Sequence, residues 1–397
     1  MSDTVTRIAA KGNGLTESGR HVAGAVPGDT VDADGTITPG PHHIDPPCRH
    51  FPQCGGCELQ HADDAMLAQF VGERVAFAAQ SQGLEPGVLA LPHLSPPQTR
   101  RRASLHAQRA GAKVVIGFRE CGSHRIVDMA ECHVLHPALF ALVDPLRRLL
   151  GHWQGRLAAD IQLTPVDQGV AAQIKGTAPD GLAQTEALLD FARENGLARL
   201  SIDEGFGAEP VWEPQPATVT LGGVPVDFPH GAFLQPTQDG EEALLSAARE
   251  WTAGAGTIAD LFAGLGTFAF ALAGPAKVLA AEADRAAHLA CQAAARSNGK
   301  PVHSLHRDLF RDPLTAEEIS KFDCILLDPP RAGARNQIDM IAQSSVSRVV
   351  YISCNPQSWA RDARRLADGG FRLAELRPVG QFRWSTHVEL ASLFVRD

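Results

Sequence analysis

The sequence predicts an α/β fold whose C-terminal part is a doubly wound parallel sheet. From about Gly240 onward, short apolar strands alternate with helix-length segments. The first of these strands runs into a glycine-containing turn that opens a helix. Polar residues follow the carboxyl ends of several later strands, which is where such sheets bind ligands. These three observations together place a candidate site at one edge of the sheet.

The chain divides into three predicted regions. Residues 1–45 are short strands broken by glycine and proline turns, which is typical of a small barrel-like β module. Residues 46–235 have a mixed α/β pattern that includes one helical stretch near residues 65–80. Residues 236–397 contain the sheet. Its parallel strands are expected at residues 257–262, 277–282, 302–305, 324–328 and 348–353, and an antiparallel hairpin at 371–379 and 389–395.

Composition limits the function classes. The 397 residues carry 36 Lys and Arg against 45 Asp and Glu, a net charge of −9 that does not favour nucleic-acid binding. Residues 98–125, however, hold seven basic residues and one acidic one, which is either a phosphate-neutralising stretch or a solvated surface. No long apolar run and no secretory leader at Met1 are present, so we expect a cytoplasmic protein without a membrane span.

The turn after the first parallel strand, at residues 259–267, indicates a cofactor site. It lacks the third glycine of the dinucleotide fingerprint and the Lys-Ser/Thr pair of a P-loop, so an adenosyl ligand without phosphates fits better. Glu282 ends the next strand, where a carboxylate can accept hydrogen bonds from both ribose hydroxyls. The alternative is an ordinary turn with acidic residues facing water. The candidate contacts are Phe262, Gly264, Thr267, Glu282, Asp308 and Asp328.

Two further loops carry candidate catalytic residues. Asp328 ends the fourth strand and Cys354 follows the fifth, so both loops open on the cofactor edge. A thiolate that adds to carbon 6 of a pyrimidine makes carbon 5 nucleophilic, and a methyl sulfonium then supplies the electrophile. Glu389, at the start of the last strand, is placed to remove the proton from carbon 5. A buried structural thiol is the alternative for Cys354 taken alone.

These motifs resemble the RNA 5-methyluridine methyltransferase family, whose members act on tRNA or 23S ribosomal RNA. The match begins near Cys48, is looser before it, and includes the Phe-Leu-Gln motif that ends at Gln235. The resemblance implies a class I, Rossmann-like methyltransferase domain and S-adenosylmethionine as cofactor, with Gln235 near it. It also implies Cys354 as nucleophile, Glu389 as proton acceptor, and Asp328 as a contact to the uracil or the cofactor.

Four of the eight cysteines have ligand-like spacing. Without a secretory leader they indicate metal or catalytic use rather than disulfides. Four thiolates can hold a 4Fe-4S cluster or a zinc ion, and the spacing does not choose between them. The resemblance to the ribosomal-RNA branch implies the 4Fe-4S cluster, with a structural role. The four candidate ligands are Cys48, Cys54, Cys57 and Cys132.

The same resemblance sets the expected partners. RNA is expected, with 23S rRNA favoured over the T-loop of tRNA, and no protein partner is implied. Residues 1–45 resemble a shortened TRAM domain, an oligonucleotide-binding-type barrel that either contacts RNA or caps the central domain. A non-catalytic RNA-binding protein on a methyltransferase fold is the alternative of another class, and the presence of Cys354 and Glu389 speaks against it.

Overall fold

The N-terminal segment forms a small antiparallel sheet. The structure is a computed structural model that describes residues 2–153 and 155–396. Five short strands pair in the order β3-β2-β1-β4-β5. Buried Val5, Ala25 and Val31 form their small core. The strands are Asp3–Ile8 (β1), Gly14–Thr16 (β2), His21–Val22 (β3), Thr30–Val31 (β4) and Ile37–Thr38 (β5).

The middle of the chain builds a six-stranded sheet in the order β13-β12-β11-β10-β8-β9, and a separate hairpin of β14 and β15. Its elements are Asp64–Gln80 (α1), Val88–Leu89 (β6), His93–Leu94 (β7), Ala103–Ala110 (β8), Lys113–Gly117 (β9), Pro137–Phe140 (α2), Val143–Gly151 (α3), Ala158–Val166 (β10), Gly169–Lys175 (β11), Gly181–Glu194 (α4), Leu197–Asp203 (β12), Ala208–Trp212 (β13), Thr218–Leu221 (β14) and Val224–Asp227 (β15).

The C-terminal part forms the larger sheet, in the order β18-β17-β16-β19-β20-β22-β21-β6 with β7 also paired to β21. Its elements are Gln238–Trp251 (α5), Thr257–Leu261 (β16), Thr267–Leu272 (α6), Lys277–Glu282 (β17), Arg285–Ser297 (α7), Val302–His306 (β18), Ala316–Ile319 (α8), Cys324–Leu327 (β19), Arg335–Gln343 (α9), Arg348–Ser353 (β20), Pro356–Asp368 (α10), Arg372–Gly380 (β21) and Glu389–Val395 (β22).

The large sheet is doubly wound, as the alternation of strands and helices predicts. Its five parallel strands each lie within one residue of the expected ends, and β21 and β22 form the expected antiparallel hairpin. Side chains of α1, α9 and α10 pack in one apolar core, and those of α5, α6 and α7 in another. The strand order reverses between β16 and β19, which is the switch point where such sheets bind ligands.

One segment of the predicted central region belongs to this large sheet. Asp63 caps α1 by accepting a hydrogen bond from the backbone N–H of Met66, and Phe70 packs in the same core as Trp359 of α10. Strand β6 then pairs in parallel with β21 and extends the sheet at its edge. The domain boundary at residue 235 stays a prediction. The segment from α1 to β7 precedes that boundary in sequence but packs with the large sheet that follows it.

The six-stranded sheet has one apolar and one polar face. Its apolar face packs under α3 and α4, because alternate residues along each strand, such as Leu105 and Ile161, point that way. The polar face carries Ser104, Gln162 and Gln173, which oppose one another across neighbouring strands. Across the described residues, no helix combines the length and the apolar character that crossing a membrane requires.

Candidate active site

One open cavity receives both the cofactor turn and the reactive loops. With its open mouth it encloses about 2650 Å³, between the carboxyl ends of the C-terminal strands and the polar face of the six-stranded sheet. The parallel pairing of β16 with β17 and β19, and of β19 with β20, brings the loops to one edge. Each residue predicted for catalysis or cofactor contact lines it: Gln235, Phe262, Gly264, Thr267, Glu282, Asp308, Asp328, Cys354 and Glu389.

The glycine turn at the adenosyl end is held in a tight conformation. Gly266 has φ 92°, and a Cβ there would lie 2.9 Å from the Phe270 ring and 3.0 Å from Cys291 Sγ. Only glycine therefore fits this close approach without a shift of the neighbours. Gly264 donates its backbone N–H to Glu282 Oε2 at 2.8 Å, which ties the turn to the next strand.

Glu282 and Asp308 line the cavity together with two aromatic side chains. Glu282 also accepts a backbone hydrogen bond from Asp284, so its carboxylate is fixed by two donors. Asp308 accepts from the backbone N–H of Phe310, whose ring lies 5.4 Å from that of Phe262. Phe310 was not among the predicted site residues, because nothing in its local sequence pattern separates it from a surface aromatic residue.

The thiol of Cys354 lies at the other end of the cavity, just before α10. Asn355 caps α10 by accepting from the backbone N–H of Gln357, and its side-chain amide donates to the Arg331 carbonyl at 2.9 Å. The loops after β19 and β20 are thereby joined. Burial, and then the negative charges of Glu389 and Asp328, raise the pKa of the Cys354 thiol to about 11, although the charge of Arg331 opposes them.

Two buried carboxyl groups flank the thiol. Burial raises the pKa of Asp328 to about 7, although the hydrogen bond from Gln235 acts against it. Burial and then the charge of Asp328 raise the pKa of Glu389 to about 8, against a hydrogen bond from Gln381. A group with a pKa this close to neutral can take up a proton and release it in the same pH range.

A chain of side-chain amides links these two carboxyl groups. Gln235 donates from Nε2 to Asp328 Oδ2 at 3.1 Å, and Gln381 donates from Nε2 to Gln235 Oε1 at 2.9 Å and to Glu389 Oε2. Sequence reasoning missed Gln381. The hairpin register, which pairs Val379 with Glu389, is the signal that could have placed it beside the carboxyl group.

The four predicted ligand cysteines line one small cavity of their own. Its walls also include Phe51 and Phe118. Burial, and to a lesser extent the charges of Cys132, Cys54 and Cys48, raise the pKa of Cys57 to about 12, so the four thiols are close enough to influence one another. Within residues 2–153 and 155–396, no three His, Cys, Asp or Glu side chains are grouped to hold a metal ion.

That arrangement bears on which group would fit. Zinc draws its thiolates to about 2.3 Å from one central ion, which requires them to converge on a point. Thiolates of a 4Fe-4S cluster bind separate irons at the corners of a larger body and stand further apart. The four thiols line one cavity with largely apolar walls, which supplies the donor set that either group requires.

The basic stretch at residues 98–125 has several uses. Arg101 forms an ion pair with Glu241, and Arg109 donates to backbone carbonyls such as Gly155, so both serve the fold. Arg100 and Arg102 instead line the active cavity. The guanidinium of Arg102 lies 4.5 Å from the ring centre of Phe233, which is 56% exposed. Arg100 and Arg102 are therefore available for phosphates or bases, whereas Arg101 and Arg109 are not.

Comparison with known proteins gives a consistent set of similarities. The profile described as tRNA (Uracil-5-)-methyltransferase matches residues 224–397. An uncharacterized RNA methyltransferase of Zymomonas mobilis is 47% identical over 99% of both chains. A 23S rRNA (uracil(1939)-C(5))-methyltransferase of Pectobacterium atrosepticum is 30% identical, over 100% of this chain and 94% of that protein.

Among solved structures, the fold is similar to that of the Pyrococcus abyssi tRNA (uracil-54, C5)-methyltransferase in complex with S-adenosyl-L-homocysteine. The TM-score is 0.79 at 20% identity, over 100% of this chain and 99% of that chain. The likeness therefore extends over all three parts of the chain.

Proposed function

Because the chain belongs to the family of S-adenosylmethionine-dependent RNA (uracil-5-)-methyltransferases, we propose that it methylates a uridine of RNA at carbon 5 through a covalent adduct with Cys354. One observation carries the proposal. Cys354, Asp328 and Glu389 share a single cavity with the glycine turn and Glu282, so the nucleophile, the acceptor of the proton and the methyl donor would meet there.

The cysteine starts the reaction. Its thiol loses its proton to solvent through the open cavity, Sγ adds to carbon 6 of the uracil, and the ring electrons move to carbon 5 and the carbonyl oxygen of carbon 4. S-adenosylmethionine supplies an electrophilic methyl group on its sulfonium. Arg331 stands near Cys354 and favours the thiolate, whereas burial and the two carboxylates oppose it. We infer that ionisation occurs only once the uracil is in place.

Glu389 completes the reaction. After methyl transfer, carbon 5 carries both a hydrogen and the new methyl group, so the proton must leave before the double bond can form again. The Glu389 carboxylate takes that proton, the electrons restore the bond between carbons 5 and 6, and the Cys354 thiolate is expelled. Asp328, hydrogen-bonded to Gln235, is proposed to contact the uracil or the cofactor beside them.

The adenosyl end is proposed to bind the cofactor through the predicted residues. Glu282 would accept hydrogen bonds from the ribose hydroxyls, and Asp308 would meet the adenine edge. Phe262 and Phe310 offer apolar surface there. Gln235, Gly264, Thr267 and Asp328 complete the candidate set.

For the RNA substrate we propose 23S rRNA. The similarity to the Pectobacterium enzyme extends over nearly the whole of both chains, and the four-cysteine arrangement lies within it. The T-loop of tRNA is the alternative, favoured by the Pyrococcus enzyme with the similar fold. In either RNA the target base must leave its stack to reach the buried thiol, which loops allow more readily than duplexes.

The proposal is tested by product analysis. The anaerobically purified protein is incubated with S-adenosylmethionine and either an unmodified 23S rRNA or a tRNA transcript, and nucleosides are identified by mass spectrometry. We expect 5-methyluridine in the rRNA and none with Cys354→Ala. Methylation of the tRNA alone would replace the substrate proposal, and methylation of neither RNA by folded protein would overturn the reaction.

We further propose that Cys48, Cys54, Cys57 and Cys132 hold a 4Fe-4S cluster with a structural role. Their common cavity supports this, and methyl transfer from a sulfonium requires no electron. Iron, sulfide and zinc content of the anaerobic protein tests it, with Cys57→Ala expected to lose the cluster. Cys121→Ala is the matched control, since Cys121 is exposed and outside that cavity. Zinc in place of iron would contradict the proposal.

The cytoplasm remains the predicted location.

A further inference from the structure

Gln381 is a buried polar side chain to which the reaction above gives no role. It is 1% exposed and lies directly after β21, beside the first residue of β22. Helix α5 packs against it so closely that a Cβ on Gly240 would lie 2.7 Å from both Cβ and Oε1 of Gln381. The side chain is therefore held in one position. A polar side chain buried in this way is expected to have hydrogen-bond partners within the protein.

The hydrogen bonds of Gln381 have one workable direction. Its Nε2 carries two hydrogens, and both are used, one to Glu389 Oε2 and one to Gln235 Oε1. While Glu389 is ionised, as it must be to accept a proton, the reverse orientation of the amide would set its oxygen against two other oxygens. Since Gln235 then accepts at Oε1, its own Nε2 faces Asp328, and each carboxyl group receives an amide donor.

This arrangement leaves Glu389 with one bound and one available oxygen. Oε2 is held by Gln381, and no other hydrogen bond reaches the Glu389 carboxyl from the chain described at 2–153 and 155–396. Glu389 is 3% exposed, yet it lines the active cavity. Oε1 is thus the oxygen that can receive a proton from a base bound beside Cys354.

We propose that Gln381 is the positioning residue for the release step: its amide holds Glu389 with one oxygen toward carbon 5 and favours the ionised carboxyl group that must accept the proton. The inference rests on the proposed methylation of uracil. It predicts that loss of the amide spares adduct formation and slows elimination, because among the described residues no hydrogen bond joins Gln381 to Cys354, whereas one joins it to Glu389.

The charge balance of the site supports this direction. Burial, and then the charge of Asp328, raise the pKa of Glu389 to about 8, while the hydrogen bond from Gln381 acts to lower it. Without the amide, a smaller fraction of Glu389 is ionised at neutral pH. Product release should then reach its full rate only at a higher pH than in the wild-type enzyme.

The test compares two buried glutamines. Gln381→Leu removes the amide at similar volume, and Gln337→Leu is the matched control, because Gln337 is also 1% exposed but bonds only to the backbone of Leu314. Single-turnover reactions use S-adenosylmethionine and the unmodified transcript that the wild-type enzyme methylates. They follow both the protein–RNA adduct on denaturing gels and the release of 5-methyluridine product. A second variant, Gln381→Glu, keeps the shape but replaces the donor with a carboxyl group.

We expect both Gln381 variants to accumulate the adduct and to release product about tenfold more slowly, as loss of a hydrogen bond to a charged group implies. In Gln381→Leu the acid limb of the pH–rate profile should also move to higher pH. Gln337→Leu should change neither, although it lowers the thermal midpoint. Unchanged release and pH profile in Gln381→Leu, with active wild-type enzyme, would overturn this inference alone, whereas wild-type enzyme that makes no 5-methyluridine would overturn the proposed function as well.

Discussion

The substitution Glu389→Gln should stabilise the protein while it abolishes product release. Glu389 is 3% exposed, and its pKa rises from the usual 4.5 to about 8, chiefly because of burial. A carboxyl group whose pKa is raised in the folded state binds its proton more tightly there than in the unfolded chain. The free energy of unfolding must therefore fall as the pH rises from about 4.5 to about 8.

The magnitude follows from the two pKa values. At pH 7 the unfolded carboxyl group is ionised while the folded one is mostly protonated, over a span of roughly 2.5 pH units at about 1.4 kcal/mol each. Glu389 thus costs the folded protein about 3 kcal/mol at pH 7, and under about 1 kcal/mol at pH 5. A glutamine of the same shape has no such penalty and can still accept the hydrogen bond from Gln381.

The assay is the thermal midpoint of unfolding against pH, for wild type and Glu389→Gln. In a domain of this size, about 1 kcal/mol moves the midpoint by about 2–4 °C, so we expect the midpoint of the variant to be roughly 6–12 °C higher at pH 7. Near pH 5 the two curves should almost meet. Asp260, a buried carboxyl group whose raised pKa does not depend on Glu389, acts equally on both proteins. A variant that is no more stable at pH 7 to 8 would refute the buried, raised-pKa description of Glu389.

Three further predictions concern the neighbouring groups. Glu282→Gln should weaken S-adenosylmethionine binding about tenfold or more in calorimetry, because the amide cannot accept from both ribose hydroxyls; unchanged affinity would contradict the ribose assignment. Tyr351→Phe should lower the free energy of unfolding by about 1–3 kcal/mol, because buried Asp362 loses its 2.7 Å hydrogen bond from the tyrosine hydroxyl; Asp368→Asn on the same helix, which is exposed, should cost far less. Arg102→Gln should weaken RNA binding and reduce its salt dependence by about one phosphate contact, whereas Arg249→Gln on the exposed side of α5 should leave both as in wild type.

Local patterns were enough to predict most of the large sheet. Each parallel strand is a short apolar run between turn signals, and such a buried strand has a clear local signature. Because the ends of parallel strands meet at one edge, the candidate residues Cys354 and Asp328 could be placed together without knowing any contact. Their roles remain proposals, but their common location follows from the pattern.

The parts that sequence reasoning missed depend on contacts between distant segments. Strand β6, only two residues long, joins β21 across almost three hundred positions, and its exposed Val88 and Leu89 give no strand signal of their own. The place of Gln381 in the site likewise depends on its hydrogen bond with Gln235, which lies in another part of the chain. Alternation of polar and apolar residues along the strands of the middle sheet can predict that one face is polar. It cannot predict that this face lines the cavity.

The most direct test of the covalent mechanism is to trap the adduct. RNA made with 5-fluorouridine presents a fluorine at carbon 5 that Glu389 cannot remove as a proton, so the adduct should persist after methyl transfer. We predict a stable protein–RNA complex that requires S-adenosylmethionine, is absent with Cys354→Ala, and maps to Cys354 by peptide mass spectrometry. Methylation of normal RNA without any such complex, or a complex that survives Cys354→Ala, would contradict the account.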